Sequence, residues 1–147
     1  MNAKTPKYEI PEFLNGEVEQ VIYNKWLERK GRSLRKRDKK RFDDVETLAD
    51  YKARIHKAVC DSSGKDYYLG HRLDWSLIGT YRNEESKLKR GKYKRDFADL
   101  PTVDHLNGWG EPIEFVICSW KVNDAKNDLS REEFVELCKQ VIGGNNG

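Results

Sequence analysis

The chain has 147 residues, enough for one hydrophobic core and too few for two domains of ordinary size. Hydrophobic residues make up 37%, but four Trp, seven Tyr and five Phe supply bulky core material, which excludes a disordered polar chain. Net charge is +3, no apolar run approaches the span of a bilayer, and "MNAKTPKYEIPEFL" has no segment of signal-peptide length. A membrane partner is therefore not expected, and the expected compartment is the cytoplasm.

The first element in chain order is a helix over about 17 to 30, where Val18, Val21, Ile22 and Trp26 recur at helical spacing and Gly31 stands as a C-terminal cap. It runs into "KWLERKGRSLRKRDKKR" (25 to 41), in which ten residues are Lys or Arg and two are acidic. Beyond the helix this run shows no clear periodicity. Arg29, Arg32, Arg35, Lys36, Arg37, Lys39, Lys40 and Arg41 are the candidate nucleic-acid contacts, because unpatterned cations neutralise phosphates; the same run also suits a solvated surface. A second basic stretch, "RNEESKLKRGKYKR" (82 to 95), has seven against two.

Leu48, Tyr51, Ile55 and Val59 predict a second helix over about 45 to 60, stopped by "DSSG". His56 beside that stripe reads as a boundary or surface residue. "DYYLGHRLDWSLIGTYRN" reads as a short strand, a Gly turn with His71, and an apolar segment of undecided type. Residues 11 to 60 thus form a helical, basic N-terminal part of a single domain.

"TVDHL" and "EFVICSW" are predicted strands joined by "NGWGEP", which makes an antiparallel hairpin. "VNDAKN" then begins a short helical stretch. Ser130 with Glu133 forms a capping box that opens a final helix with Phe134, Leu137, Cys138, Val141 and Ile142 on its apolar face. The fold class is α+β. Cys60, Cys118 and Cys138 are odd in number and include no C-x-x-C pair, so they are expected to be reduced and buried, without a disulfide framework or a thiolate zinc site.

Strand, turn, strand and short helix bring Asp104 and His105 opposite Asn123. Neighbours on an ideal strand point to opposite faces, so Asp104 and His105 flank one point only where the strand ends or twists. A carboxylate and an amide oxygen are hard ligands for Mg²⁺ or Mn²⁺, and a neutral imidazole deprotonates water at neutral pH. On residue types alone, a structural pair with no catalytic role remains open.

"PTVDHL", the hairpin and "WKVNDAKNDLSREEFVELC" resemble the HNH endonuclease motif, the ββα-metal nuclease fold, in its Asp-His…Asn-x-x-Lys form. The match covers about 100 to 142 and extends more loosely to "YYLG". It implies a nuclease part at 61 to 147 with a ββα core at about 101 to 128, Asp104 and Asn123 as ligands of Mg²⁺ or Mn²⁺, and His105 as general base. DNA is the implied partner and phosphodiester hydrolysis the implied reaction. Asn127, one turn beyond Asn123, is the second candidate for the last ligand. Lys126 reads as solvated.

Two features depart from the pattern. The zinc-binding C-x-x-C pairs of many relatives are missing, so no structural zinc is expected and Trp109, Phe115 and Trp120 are the candidates for holding the hairpin by packing. The middle Asn of the motif has no clear counterpart, Asn107 being early and Glu114 a substitute. A non-catalytic nucleic-acid-binding protein is the alternative reading.

Overall fold

A computed structural model describes residues 6–80, 95–107 and 113–144. Their architecture is mixed α and β: a 3-10 turn at Glu12–Leu14, helices α1 (Gln20–Lys39) and α2 (Leu48–Ser62), a 3-10 turn at Trp75–Gly79, strands β1 (Pro101–His105) and β2 (Phe115–Ser119), and helices α3 (Trp120–Lys126) and α4 (Arg131–Gly144). No helix among the described residues is long and apolar enough to cross a membrane. Most of the second basic stretch, the hairpin connection and Trp109 lie outside the described residues.

Helix α1 does not stop at Gly31. Its buried side comprises Tyr23, Trp26, Leu27, Gly31, Leu34 and Asp38, a stripe with steps of three and four that continues to the end of the basic run. Gly31 serves proximity rather than termination: a Cβ there would stand 3.0 Å from Leu48 Cδ1 and 3.1 Å from Lys52 Cγ. The basic residues are therefore the outer faces of a regular helix about 30 Å long.

Helix α2 opens with a capping box in which Thr47 Oγ1 accepts from the Asp50 amide and the Asp50 carboxylate accepts from the Thr47 amide. It ends where "DSSG" predicts, with Ser63 left-handed at φ 54°. Its apolar face, Tyr51, Ile55 and Val59, packs between α1 and β2. Trp26 of α1 meets Trp75 edge to face at 5.8 Å, and the Trp75 indole donates to Gly64 O.

The "DYYLG" segment is a turn, not a strand. Asp66 is buried and its carboxylate accepts from the amides of Tyr68, Leu69 and Ser119, while the Tyr67 amide donates to Ile117 O. Local side-chain acceptance replaces a ladder, and the contact with Ser119 fixes the turn to the end of β2. The undecided segment after it is the second 3-10 turn.

β1 and β2 pair antiparallel with Asp104 opposite Val116 and His105 opposite Phe115, as the hairpin reading expects. Ser119 then caps α3 by accepting from the Val122 amide. The capping box of Ser130 and Glu133 also forms, but α4 buries no residue, and Leu137, Val141 and Ile142 are exposed. Of the cysteines only Cys118 is buried. Cys60 and Cys138 are exposed, against the expectation, and all three are free.

Candidate functional site

β1 ends at His105, and there the strand alternation sends its two last side chains to different elements. His105 shares the face of Val103 and turns toward α1; Asp104 turns toward α3 and the Asp66 turn. Both line one cleft of about 210 Å³ together with Asn123 and Asn127. The structure thus brings all four residues together, with Arg37, Asp38 and Arg41 as the opposite wall.

Asp38 is the residue that the sequence motifs do not reveal. It is 1% exposed, and its Oδ2 accepts from His105 Nε2 at 3.0 Å and from the Tyr51 hydroxyl at 2.8 Å. Burial by itself would raise the Asp38 carboxyl, but hydrogen bonds from His105 and Tyr51, with the charges of His105 and Arg41, outweigh it and hold the group below its usual range. An ionised carboxylate only accepts, so Nε2 carries a proton and Nδ1 is the basic nitrogen of the neutral ring. The His105 ring is wedged edge-on against Phe115 at 5.0 Å, and Phe115 in turn against Tyr51. Neither substitute for the middle Asn does this work: Asn107 Nδ2 donates to Glu114 Oε2 at 3.4 Å, away from His105.

Asp104 is buried between two donors. The Tyr68 hydroxyl donates to its Oδ2 at 2.6 Å, and the Lys126 ammonium stands 3.1 Å from the same oxygen. Burial, first, and the bond to Asp104, second, push the Tyr68 hydroxyl far above its ordinary pKa, so it stays protonated as a donor. Lys126 is not solvated; it is 1% exposed and also donates to His105 O at 3.2 Å and to Leu129 O. Asn123 is half-buried on α3. Asn127 is exposed, follows the helix with φ 53°, and donates its amide to Asn123 O.

The Asp104 carboxylate and the Asn123 side-chain oxygen are hard donors, the type that Mg²⁺ or Mn²⁺ accepts. Among the described residues no group of three His, Cys, Asp or Glu side chains is placed to hold a metal. Asp104 and Asn123 would therefore supply a partial oxygen set completed by water and substrate phosphate, the mode Mg²⁺ favours. A carboxylate has about four acceptor positions, and Tyr68 and Lys126 do not fill them all.

The basic candidates separate into two kinds. Arg29 donates to Ile78 O, Arg32 pairs with Glu28, Arg35 donates to Glu46 O, and Arg41 pairs with Asp128 at 3.4 Å from one cleft wall to the other. Lys36, Arg37, Lys39 and Lys40 project from the exposed side of α1 and its C-terminus. Outside the cleft, His56 accepts or donates at 2.7 Å with buried Tyr23, and His71 pairs with Asp99, so both have structural partners. No family model matches the chain, and no curated protein or solved structure matches it.

Proposed function

We propose that the protein is a divalent-metal-dependent DNA endonuclease of the HNH type, with β1, β2 and α3 as its ββα core. The observation that carries this reading is the meeting of Asp104, His105 and Asn123 in one cleft faced by Arg37 and Arg41. A site that hydrolyses a phosphodiester needs a base for water, positive charge for the phosphate and a rigid frame for both. His105 takes the proton of water at Nδ1, and Asp38, bonded to Nε2, holds the ring in place. Arg37 supplies donors to phosphate oxygens, and Arg41, paired with Asp128 across the cleft, adds positive charge beside them. Asp104 and Asn123 would hold the metal ion, which supplies charge to the phosphate and leaving oxygen when bound.

Supercoiled plasmid incubated with Mg²⁺ or Mn²⁺ is expected to be nicked or linearised, and chelator is expected to stop the reaction. Binding of duplex without strand scission under every metal condition would replace this reading by that of a non-catalytic nucleic-acid-binding protein.

The division among the cations gives a sharper expectation for binding. Replacing Lys36, Arg37 and Lys40 together by Ala should lower affinity for two unrelated duplexes alike, and make the slope of log K against log salt shallower by up to about 0.9 for each phosphate that is no longer neutralised. Arg29→Ala with Arg32→Ala should change that slope little, because those side chains already have protein partners. Titrations at several salt concentrations, with chelator present, compare the two sets. Unequal losses on the two duplexes would instead mean that α1 reads bases.

A further inference from the structure

Lys126 reaches a closed set of acceptors: the Asp104 carboxylate, His105 O and Leu129 O. An ammonium has three protons, and here each has a protein oxygen within reach, at a position 1% exposed. The ammonium is thus a built component of the site, and it lies on the same carboxylate that the proposed function assigns to the metal. Two cations on one buried carboxylate repel each other, and the repulsion between a divalent ion and an ammonium a few ångströms away amounts to on the order of tenfold or more in affinity in a partly buried cleft. An arriving phosphate anion reverses that balance, since it is attracted to both.

We propose that Lys126 is a resident counter-ion of Asp104 that keeps divalent-metal affinity low in the free protein, so that metal is taken up together with the substrate phosphate. This rests on the metal-dependent reading above. It assigns to Lys126 a role in setting when the metal binds, through the carboxylate it shares. Its other bonds, to His105 O and Leu129 O, keep the ammonium anchored at the junction of β1 and α3 while that carboxylate is shared.

The test is calorimetric titration of Mn²⁺, without nucleic acid, into the full chain, Lys126→Met, and Lys126→Met combined with Asp104→Asn. Lys126→Met is expected to bind Mn²⁺ at least about tenfold more tightly than the unaltered protein, and the double variant is expected to lose that gain. Thermal melts supply a second readout. Mn²⁺ should raise the midpoint of Lys126→Met well beyond the effect of NaCl at equal ionic strength, and move the unaltered protein much less, because the metal replaces the missing cation. Equal Mn²⁺ affinity with and without Lys126 would overturn the proposal while leaving a metal site in place. A gain that survives Asp104→Asn would overturn it too. Absence of Mn²⁺ binding in both the unaltered protein and Lys126→Met would defeat this proposal, and would leave metal binding to be tested with duplex and His105→Ala. Should Lys126→Met unfold in metal-free buffer, recovery of its fold by Mn²⁺ supports the proposal and failure to recover overturns it.

Discussion

His105→Ala is expected to reduce DNA cleavage by about 10² to 10⁴-fold, the usual contribution of a positioned general base, while leaving duplex affinity nearly unchanged. The ring meets the protein through Asp38 and Phe115, and the cations proposed to hold phosphate stand on α1 and just beyond its C-terminus, so the substitution removes the proton acceptor without removing the grip. Single-turnover cleavage and binding in the presence of chelator separate the two quantities. A variant that cleaves at close to the original rate would transfer the base role to another group.

Asp38→Ala should have a double effect, on rate and on stability. It leaves the buried Tyr51 hydroxyl and His105 Nε2 without their shared acceptor, at a cost of about 1–3 kcal/mol in folding free energy and a fall in cleavage rate. Tyr51→Phe distinguishes the two effects: it removes the structural bond but leaves the His105–Asp38 contact, so it should cost stability with little loss of rate. Similar losses of rate in both variants would reduce Asp38 to a packing residue.

The depressed Asp38 carboxyl also fixes a pH dependence. Between the unfolded value of about 3.9 and the lower folded one, the unfolded chain binds more protons. The Asp38 contribution to stability is thus fully present above the unfolded value, and it is lost as pH falls through the folded value. Denaturant midpoints measured from pH 6 downward should fall more steeply for the unaltered protein than for Asp38→Asn.

Much of this arrangement is legible in the residues, and the places where it is not have definite physical causes. The stripe of α2, the pairing of "TVDHL" with "EFVICSW" and the Ser130–Glu133 box are local patterns, and local patterns survive into the fold. Helix α1 is misjudged at Gly31 because the stripe passes through a glycine and a carboxylate. One gives room to Leu48 and Lys52; the other is buried because His105 and Tyr51 satisfy it. "DYYLG" looks like a strand because its side chains are aromatic, yet Asp66 closes it into a turn. The partners of the site come from far along the chain: Asp38 is 67 residues from His105 and Tyr68 is 36 from Asp104. One cue was present. Asp38 is the single acid between Arg35 and Arg41, and it falls one helical turn after Leu34.

The unbroken course of α1 has a consequence for how this protein can be altered. The core stripe and the brace on His105 share the buried side of one rod and the basic side chains its exposed side, so their angular relation is set by residue count. One residue inserted between Leu34 and Asp38 would rotate everything after it by about 100°, swinging the brace out of the interior and a basic side chain into it. Grafting a foreign DNA-binding segment onto this chain would carry the same hazard, since the segment cannot be exchanged without its acid in phase. Targeting and chemistry are not interchangeable cartridges here; they are successive turns of a single screw.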